Sequence, residues 1–321
     1  MVTISKDNII EQYEMREAYC DTLIAEAESD DRILVIEADV MHSMGTLPFK
    51  ERFPVRSINC GIQEANCIGV AAGLSLVGFI PFFQTFGTFS SRRCFDQSYI
   101  SVAYADLNVK IVGEDAGVAA TVNGGTHMPL EDIGLMRNIP NCIVVEPCDT
   151  SAMKSIIVQL IGTYGAAYMR TVRKKVHKIY DCADLIIGKA EVIKDGDDVT
   201  LIGCGLMVYE SLQAARLLEK EGIRARVVDM FTIKPIDAEC IVKCARETGA
   251  VVTAENHSII NGLGSAVAEV LSQQHCAPLE IVGVKDRFGE VGDQDYLMRE
   301  FGLTARDIAE KAKRAISRKL K

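Results

Sequence analysis

The sequence predicts an α/β fold in two domains, built on mostly parallel sheets with helices on both faces. Three observations predict it. Short β-branched runs alternate with longer segments of helical period, the charged segment Arg170–Gly188 interrupts that alternation once, and 321 residues is room for about two ordinary domains.

The elements follow in chain order. Helical spacing over residues 9–29 precedes Arg32–Glu37, an apolar run that reads as a strand buried on both faces. Glu64–Val77 and Phe89–Ala103 carry helical spacing, and Asn108–Gly113 and Cys142–Glu146 read as further strands. The boundary is placed within the interrupting segment, giving domains 1–178 and 179–321. Beyond it come a strand at Asp198–Gly203 and a helix with Val208, Leu212, Ala215 and Leu218 on one face. Strands at Arg226–Asp229 and Ala250–Thr253 follow, and Thr304–Lys319 closes as an amphipathic helix.

Composition narrows the function classes. Hydrophobic residues make up 48% and charged residues 25%, the balance of a globular chain rather than a disordered one. The net charge is -9, and the one basic cluster singled out, Arg170–Lys175, is too short to track a phosphate backbone, so nucleic acid is not expected as a partner. No apolar run reaches the roughly 18 residues of a membrane helix, and the N-terminus has no signal-peptide core. The expectation is a cytoplasmic protein with no membrane partner. The 11 cysteines are scattered without a Cys-x-x-Cys pair and read as small buried hydrophobes; the five dispersed histidines give no zinc site.

Ligands of open α/β sheets gather beyond the carboxyl ends of strands. Four such places carry chemistry here. In Asn59–Glu64, a Gly-containing turn delivers Glu64 to a helix start, where it is either functional or a first-turn glutamate complementing the helix dipole. In Gln84–Phe89, Phe86 and Phe89 offer a platform for a flat heterocycle or else belong to the core; in a chain only 6% aromatic the clustering is notable. Gly113–Gly117 and Thr121–Pro129 form a long Gly-rich connection in which His127 is a candidate or an ordinary loop histidine. Arg170, ending Tyr168–Arg170, suits a phosphate or carboxylate, or a surface ion pair. The pieces Gly203-Cys-Gly205 and Gly262-Leu-Gly264 invite a nicotinamide oxidoreductase reading, but neither completes Gly-x-Gly-x-x-Gly.

In order and spacing, the motifs resemble the C-terminal section of transketolase, the small subunit where that enzyme is split. The resemblance runs through Arg16-Glu-Ala, Glu37-Ala-Asp-Val, Gly61-Ile-Gln-Glu64, Thr85-Phe-Gly-Thr-Phe89, Gly124-Gly-Thr-His127 and Arg137-Asn-Ile-Pro-Asn141. It continues through Ile233–Asp237, Glu255-Asn-His-Ser258 and Asp286-Arg-Phe-Gly289. It implies a thiamine pyrimidine-binding domain followed by the smaller transketolase C-terminal domain. It also implies transfer of a two-carbon ketol unit from a ketose donor to an aldose acceptor. Glu64 would hydrogen-bond the aminopyrimidine of thiamine diphosphate, favouring the tautomer that deprotonates the thiazolium, and so must hold a proton. Phe86 and Phe89 match the wall beside that ring, Asp39 and Ile62 lie near the cofactor, and His127 faces the substrate. Arg16, Ser43 and Arg170 match positions that hold a sugar phosphate.

Two departures bear on the substrate. The family's phosphate-contacting histidine falls at or near Asp115, and Asn123 replaces an aspartate that reads a substrate hydroxyl; Arg92 stands where another aromatic is common. The family's Gly-Asp-Gly and downstream Asn-Asn, which hold the diphosphate and Mg²⁺, have no counterpart in this sequence. The resemblance therefore implies a companion subunit carrying the diphosphate-binding domain and most of the Mg²⁺ site, in an α2β2 assembly. The β subunit of a 2-oxo acid dehydrogenase and 1-deoxyxylulose-5-phosphate synthase are the alternatives within the thiamine enzymes. Thr126–Asn141 favours transketolase over the former, and the latter normally occurs as one long chain.

Overall fold

The computed structural model describes residues 2–7 and 9–319. The chain separates into two compact units. The first takes residues up to Ala116 together with Leu135–Leu185, and the second takes Gly117–Gly134 together with the chain from Ile186 onward.

The first unit is built on strands β1 (Ile33–Glu37), β2 (Ser57–Asn59), β3 (Ile80–Phe86), β4 (Lys110–Glu114), β5 (Ile143–Val145) and β6 (Ala167–Arg170). They run parallel in the order β5-β6-β4-β3-β1-β2. Every residue of β1 is buried, as expected of a parallel strand covered on both faces. Because β2 and β3 flank β1 on opposite sides, the strand order reverses at β1. That reversal opens a crevice at the carboxyl ends of the strands.

Helices α1 (Met15–Ala27), α2 (Glu64–Leu76) and α3 (Thr150–Gly162) belong to this unit. The helical spacing over 9–29 is only partly realised. Ile10 instead bridges His177 in antiparallel fashion, and a capping box between Glu14 and Glu17 starts α1 at Met15. Asp149 caps α3 through the Ala152 N–H and also accepts the N–H groups of Ile179 and Tyr180. The expected helix at Phe89–Ala103 forms as a broken series of short turns beginning at Gly87 and widening into a π-helix over Ser98–Tyr104. Serine side chains cause local competition there: Ser90 and Ser91 donate to the Gly87 carbonyl and Ser98 to that of Cys94.

The second unit carries β7 (Glu191–Lys194), β8 (Val199–Gly203), β9 (Ala225–Asp229), β10 (Val251–Ser258) and β11 (Leu279–Val284), in the order β11-β10-β8-β9-β7. Only the edge strand β7 is antiparallel to its neighbour. The helices α4 (Leu206–Glu219), α5 (Ala238–Thr248), α6 (Leu263–Gln274) and α7 (Ala305–Ser317) also belong to it. On α4 the fully buried positions include Val208, Ala215 and Leu218 as expected. Leu212 is only half-buried, and Ser211 is buried beside it, its hydroxyl donating to the Met207 carbonyl. Among the described residues no helix is long and apolar enough to cross a membrane.

Candidate functional site

The carboxyl edge of the first sheet assembles most of the residues singled out from sequence. Gly61 takes φ +74°, a left-handed value that glycine adopts without penalty, and its N–H donates to Asn59 Oδ1 at 2.9 Å. The turn delivers Glu64 to the first position of α2, where the helix dipole favours a carboxylate. Glu64 is 3% exposed, and its Oε1 accepts from Arg93 Nη1 at 2.8 Å. The same guanidinium lies 3.8 Å from the centroid of the Phe89 ring. Phe86 and Phe89 meet edge to face, with centroids 6.0 Å apart and planes at 86°. Ile62, 69% exposed, projects from the same turn.

Asp39 follows β1 at φ +62° and exchanges hydrogen bonds with Asn59: its N–H donates to Oδ1 and its Oδ1 accepts from Nδ2, both at 3.0 Å. Beneath it, Glu37 is wholly buried; its Oε1 accepts from Gln84 Nε2 at 2.7 Å and from the Thr46 hydroxyl. Burial outweighs those donors and pushes the Glu37 carboxyl up to about 7. Glu114, at the end of β4, is wholly buried as well, and burial first, then the charge of Asp115, raises its carboxyl well above the usual range.

A cationic group borders this edge. Asp115, at φ +60° and 1% exposed, accepts Arg173 Nε at 2.9 Å and Nη2 at 2.6 Å, a bidentate pair. Arg173 Nη1 also donates to the Ser43 carbonyl at 3.4 Å, and Arg16 Nη1 donates to that same oxygen at 2.9 Å. The Arg173 guanidinium lies 5.1 Å from the Phe86 centroid. Arg170 is not brought to this surface. Its side chain is 0% exposed and its Nη1 sits 2.7 Å from buried Glu146, so the ion pair it makes is a buried one and not a surface pair. Arg173 and Arg93 are the cations that sequence reasoning missed; Arg92, which it noticed, is exposed beside Arg93.

His127 and Asn123 lie in the second unit, on the connection 117–134. Asn123 is exposed at the end of a 3-10 segment, Gly117–Asn123, in which Thr121 holds φ +45°. Positive φ is rare for a β-branched residue and marks strain held by its surroundings. His127 is half-buried, its Nδ1 2.9 Å from the Thr126 hydroxyl. Two sequence motifs clamp this connection. Asn256 Oδ1 accepts the Val118 N–H at 2.9 Å, and the Ser258 N–H donates to the Leu130 carbonyl at 2.9 Å. A Cβ on Gly125 would run into the Gly289 carbonyl, and one on Gly289 would run into the Met128 sulfur, which explains the glycine in each segment. Glu255 serves another end, accepting the N–H groups of Leu263 and Gly264 at the start of α6.

In the first unit, then, a nearly buried carboxylate stands beside two partly exposed aromatic rings. That donor set fits a flat heterocycle with a ring nitrogen hydrogen-bonded to Glu64. Among the described residues no group of three or more His, Cys, Asp and Glu side chains could hold a metal ion.

Residues 11–178 match the transketolase pyrimidine-binding domain, and 188–308 match the transketolase C-terminal domain. The chain is 46% identical over 311 residues to a 6-deoxy-6-sulfo-D-fructose transketolase subunit of Clostridium sp. (strain MSTE9), covering 97% of each chain. It is 35% identical over 299 residues to one of the apulose-4-phosphate transketolase subunits of Phocaeicola vulgatus, covering 92% of this chain and 96% of that one. A solved split-gene transketolase, described as an inactive beta4 tetramer, superposes with a TM-score of 0.89 at 43% identity, covering 97% of this chain and 100% of its own. Matched in both domains and by relatives along nearly its whole length, the chain belongs to the transketolase family.

Proposed function

We propose that this chain is the smaller subunit of a cytoplasmic, split, thiamine-diphosphate-dependent transketolase, with its active site shared with a companion subunit that carries the diphosphate-binding domain and the Mg²⁺. The observation that carries the reading is Glu64, nearly buried at the start of α2 and flanked by Phe86 and Phe89. Thiamine diphosphate, when bound, supplies the carbon nucleophile that accepts the two-carbon unit. Glu64 holds a proton against the pyrimidine nitrogen, the two phenylalanines orient the ring and exclude water, and Asp39 and Ile62 border it. The domain division at 178/179 and an α2β2 assembly belong to the same reading.

The relatives' named substrates, a sulfonated ketose and a ketose phosphate, both carry an anion at the end remote from the transferred carbons. Arg16 and Arg173, converging on the Ser43 carbonyl, supply positive charge for such an anion, with Asp115 orienting Arg173. Arg170 supports that surface from inside. His127 and Asn123 contact the substrate's hydroxyls in this reading, the amide of Asn123 setting which hydroxyl pattern is accepted.

The test is a two-carbon transfer assay with thiamine diphosphate and Mg²⁺, run with and without the co-expressed companion over sulfonated, phosphorylated and neutral ketoses. Activity only with both chains, and preference for anionic ketoses, is expected. Cofactor binding without transfer to any aldose acceptor would overturn the ketol-transfer reading.

A further inference from the structure

Away from that edge, α5 carries two cysteines one turn apart. We propose that Cys240 and Cys244 form a peroxide-reactive dithiol pair that closes to an intramolecular disulfide, a modification site distinct from ketol transfer.

Their sulfur atoms lie 3.9 Å apart. Residues four apart on a helix have Cα atoms about 6.2 Å apart, inside the span of about 4.4–6.8 Å that a disulfide bridges. The Cβ atoms of such a pair lie about 5–6 Å apart, wider than the roughly 3.5–4.5 Å of a disulfide, so closing the bond also takes a local unwinding of that turn of α5. Arg226 Nη1 approaches the Cys244 sulfur at 3.6 Å while its other contacts tie it to Asp195 and Glu247. The hydrogen bond with the Cys240 thiol, and after it that fixed guanidinium, outweigh burial and lower the Cys244 thiol to about 6. Both cysteines line an open cleft of about 750 Å³, whose rim includes Lys189, Lys194 and Lys243, so a small oxidant has access. Cys244 is itself 1% exposed, which admits a molecule the size of water better than a bulky one. Cys182 and Cys276 are more exposed, but among the described residues neither sulfur has a cation in hydrogen-bond contact to activate it.

The chemistry balances with hydrogen peroxide as oxidant. The Cys244 thiolate attacks one peroxide oxygen; an S–O bond forms, the O–O bond breaks, and hydroxide leaves, taking a proton to become water. Cys240 then loses its proton and attacks the resulting sulfenic sulfur; the S–S bond forms, the S–O bond breaks, and a second water leaves. Two thiols are oxidised and one peroxide is reduced to two waters.

The full chain treated with hydrogen peroxide, alkylated and digested with trypsin, which cuts after Lys243, tests this by mass spectrometry. The expected product is a linked pair of peptides bearing Cys240 and Cys244, released by dithiothreitol and formed about tenfold faster than oxidation at Cys182 or Cys276. The Cys240→Ser variant should instead accumulate a sulfenic acid on Cys244 that dimedone traps. Oxidation of Cys182 or Cys276 ahead of the pair, or a wild-type chain that never yields the linked peptides, would overturn the proposal.

Discussion

Arg93 Nη1 holds Glu64 Oε1 at 2.8 Å while its guanidinium lies over Phe89, so one cation engages both the carboxylate and the aromatic wall proposed to receive the cofactor. The pair is lopsided: Glu64 is 3% exposed and the Arg93 side chain 46%. A pair with one partner in solvent is worth about 0–1 kcal/mol. A ligand that hydrogen-bonds Glu64 can therefore displace Arg93 at small cost.

Arg93→Met keeps an apolar stem over Phe89 and removes the competing charge. In the assembled pair of subunits, titration calorimetry should show thiamine diphosphate binding about two- to fivefold tighter, the equivalent of about 0.5–1 kcal/mol. Weaker binding would mean that Arg93 remains in place and contributes to the cofactor site.

Glu64→Gln keeps the shape of the side chain but removes the group that can hold and release the proton. Turnover by the assembled enzyme should fall about 10²–10⁴-fold, the range of a lost acid–base group, while co-elution with the companion on gel filtration is unchanged. Near-normal turnover would remove Glu64 from the mechanism.

How much of this was legible beforehand differs by residue. Strand β1, α2 and the turn at Gly61 were readable because periodicity, glycine conformation and a first-turn acid all act within a few residues. The break of the Phe89–Ala103 helix was not, since Ser90, Ser91 and Ser98 bond to backbone carbonyls in a way that spacing does not encode. Glu64 stood out by position, but its partner Arg93 is 29 residues away and reaches it only once the chain folds. Arg170 and Arg173 look alike in sequence; β6 carries Arg170 inward to Glu146, while Arg173 lies past the strand end and stays 20% exposed. The motifs at Asn256 and Gly289 were recognised without a role, which their contacts with 118 and 125 supply.

Glu37 makes stability depend on pH. Its carboxyl titrates near 7 in the fold against 4.5 when free, so between those values the folded chain binds the extra proton. Stability is therefore lost as pH rises from 4.5 to 7, by at most about 3.4 kcal/mol at 1.36 kcal/mol per unit. Glu37→Gln, uncharged throughout, should be more stable than the wild type at pH 8 by about 1–3 kcal/mol and lose that advantage at pH 5. Urea unfolding of both proteins at the two pH values checks it; a difference that does not change with pH would show that Glu37 ionises freely in the fold.

Asp149 is one carboxylate with three backbone tasks, accepting the N–H groups of Ala152, Ile179 and Tyr180 at 2.7–2.8 Å. Asp149→Ala leaves a helix cap and two buried donors unmet, a loss of about 2–4 kcal/mol. Asp149→Asn should recover part of it, because its amide oxygen can still accept. Thermal unfolding followed by circular dichroism gives the comparison, and equal midpoints for the alanine and asparagine variants would show that the three contacts contribute little.

The two arginines of the 170–173 segment should separate cleanly. Arg170 is paired inside the unit, so Arg170→Ala breaks a buried ion pair, at a cost of about 3–5 kcal/mol of stability. Arg173 is partly open to solvent and shares the Ser43 carbonyl with Arg16, so Arg173→Ala removes a binding charge as well as the bidentate partner of buried Asp115. For an anionic ketose, Arg173→Ala should raise KM about 10–100-fold, as loss of a charged hydrogen bond of about 1.5–3 kcal/mol would, and leave a neutral ketose nearly unaffected. Arg170→Ala should lower the unfolding temperature without changing the ratio of the two substrates' kcat/KM. If instead Arg170→Ala alone altered that ratio in folded protein, the anion would have to reach a side chain that this chain keeps wholly buried, and the companion subunit would have to reshape β6 to expose it.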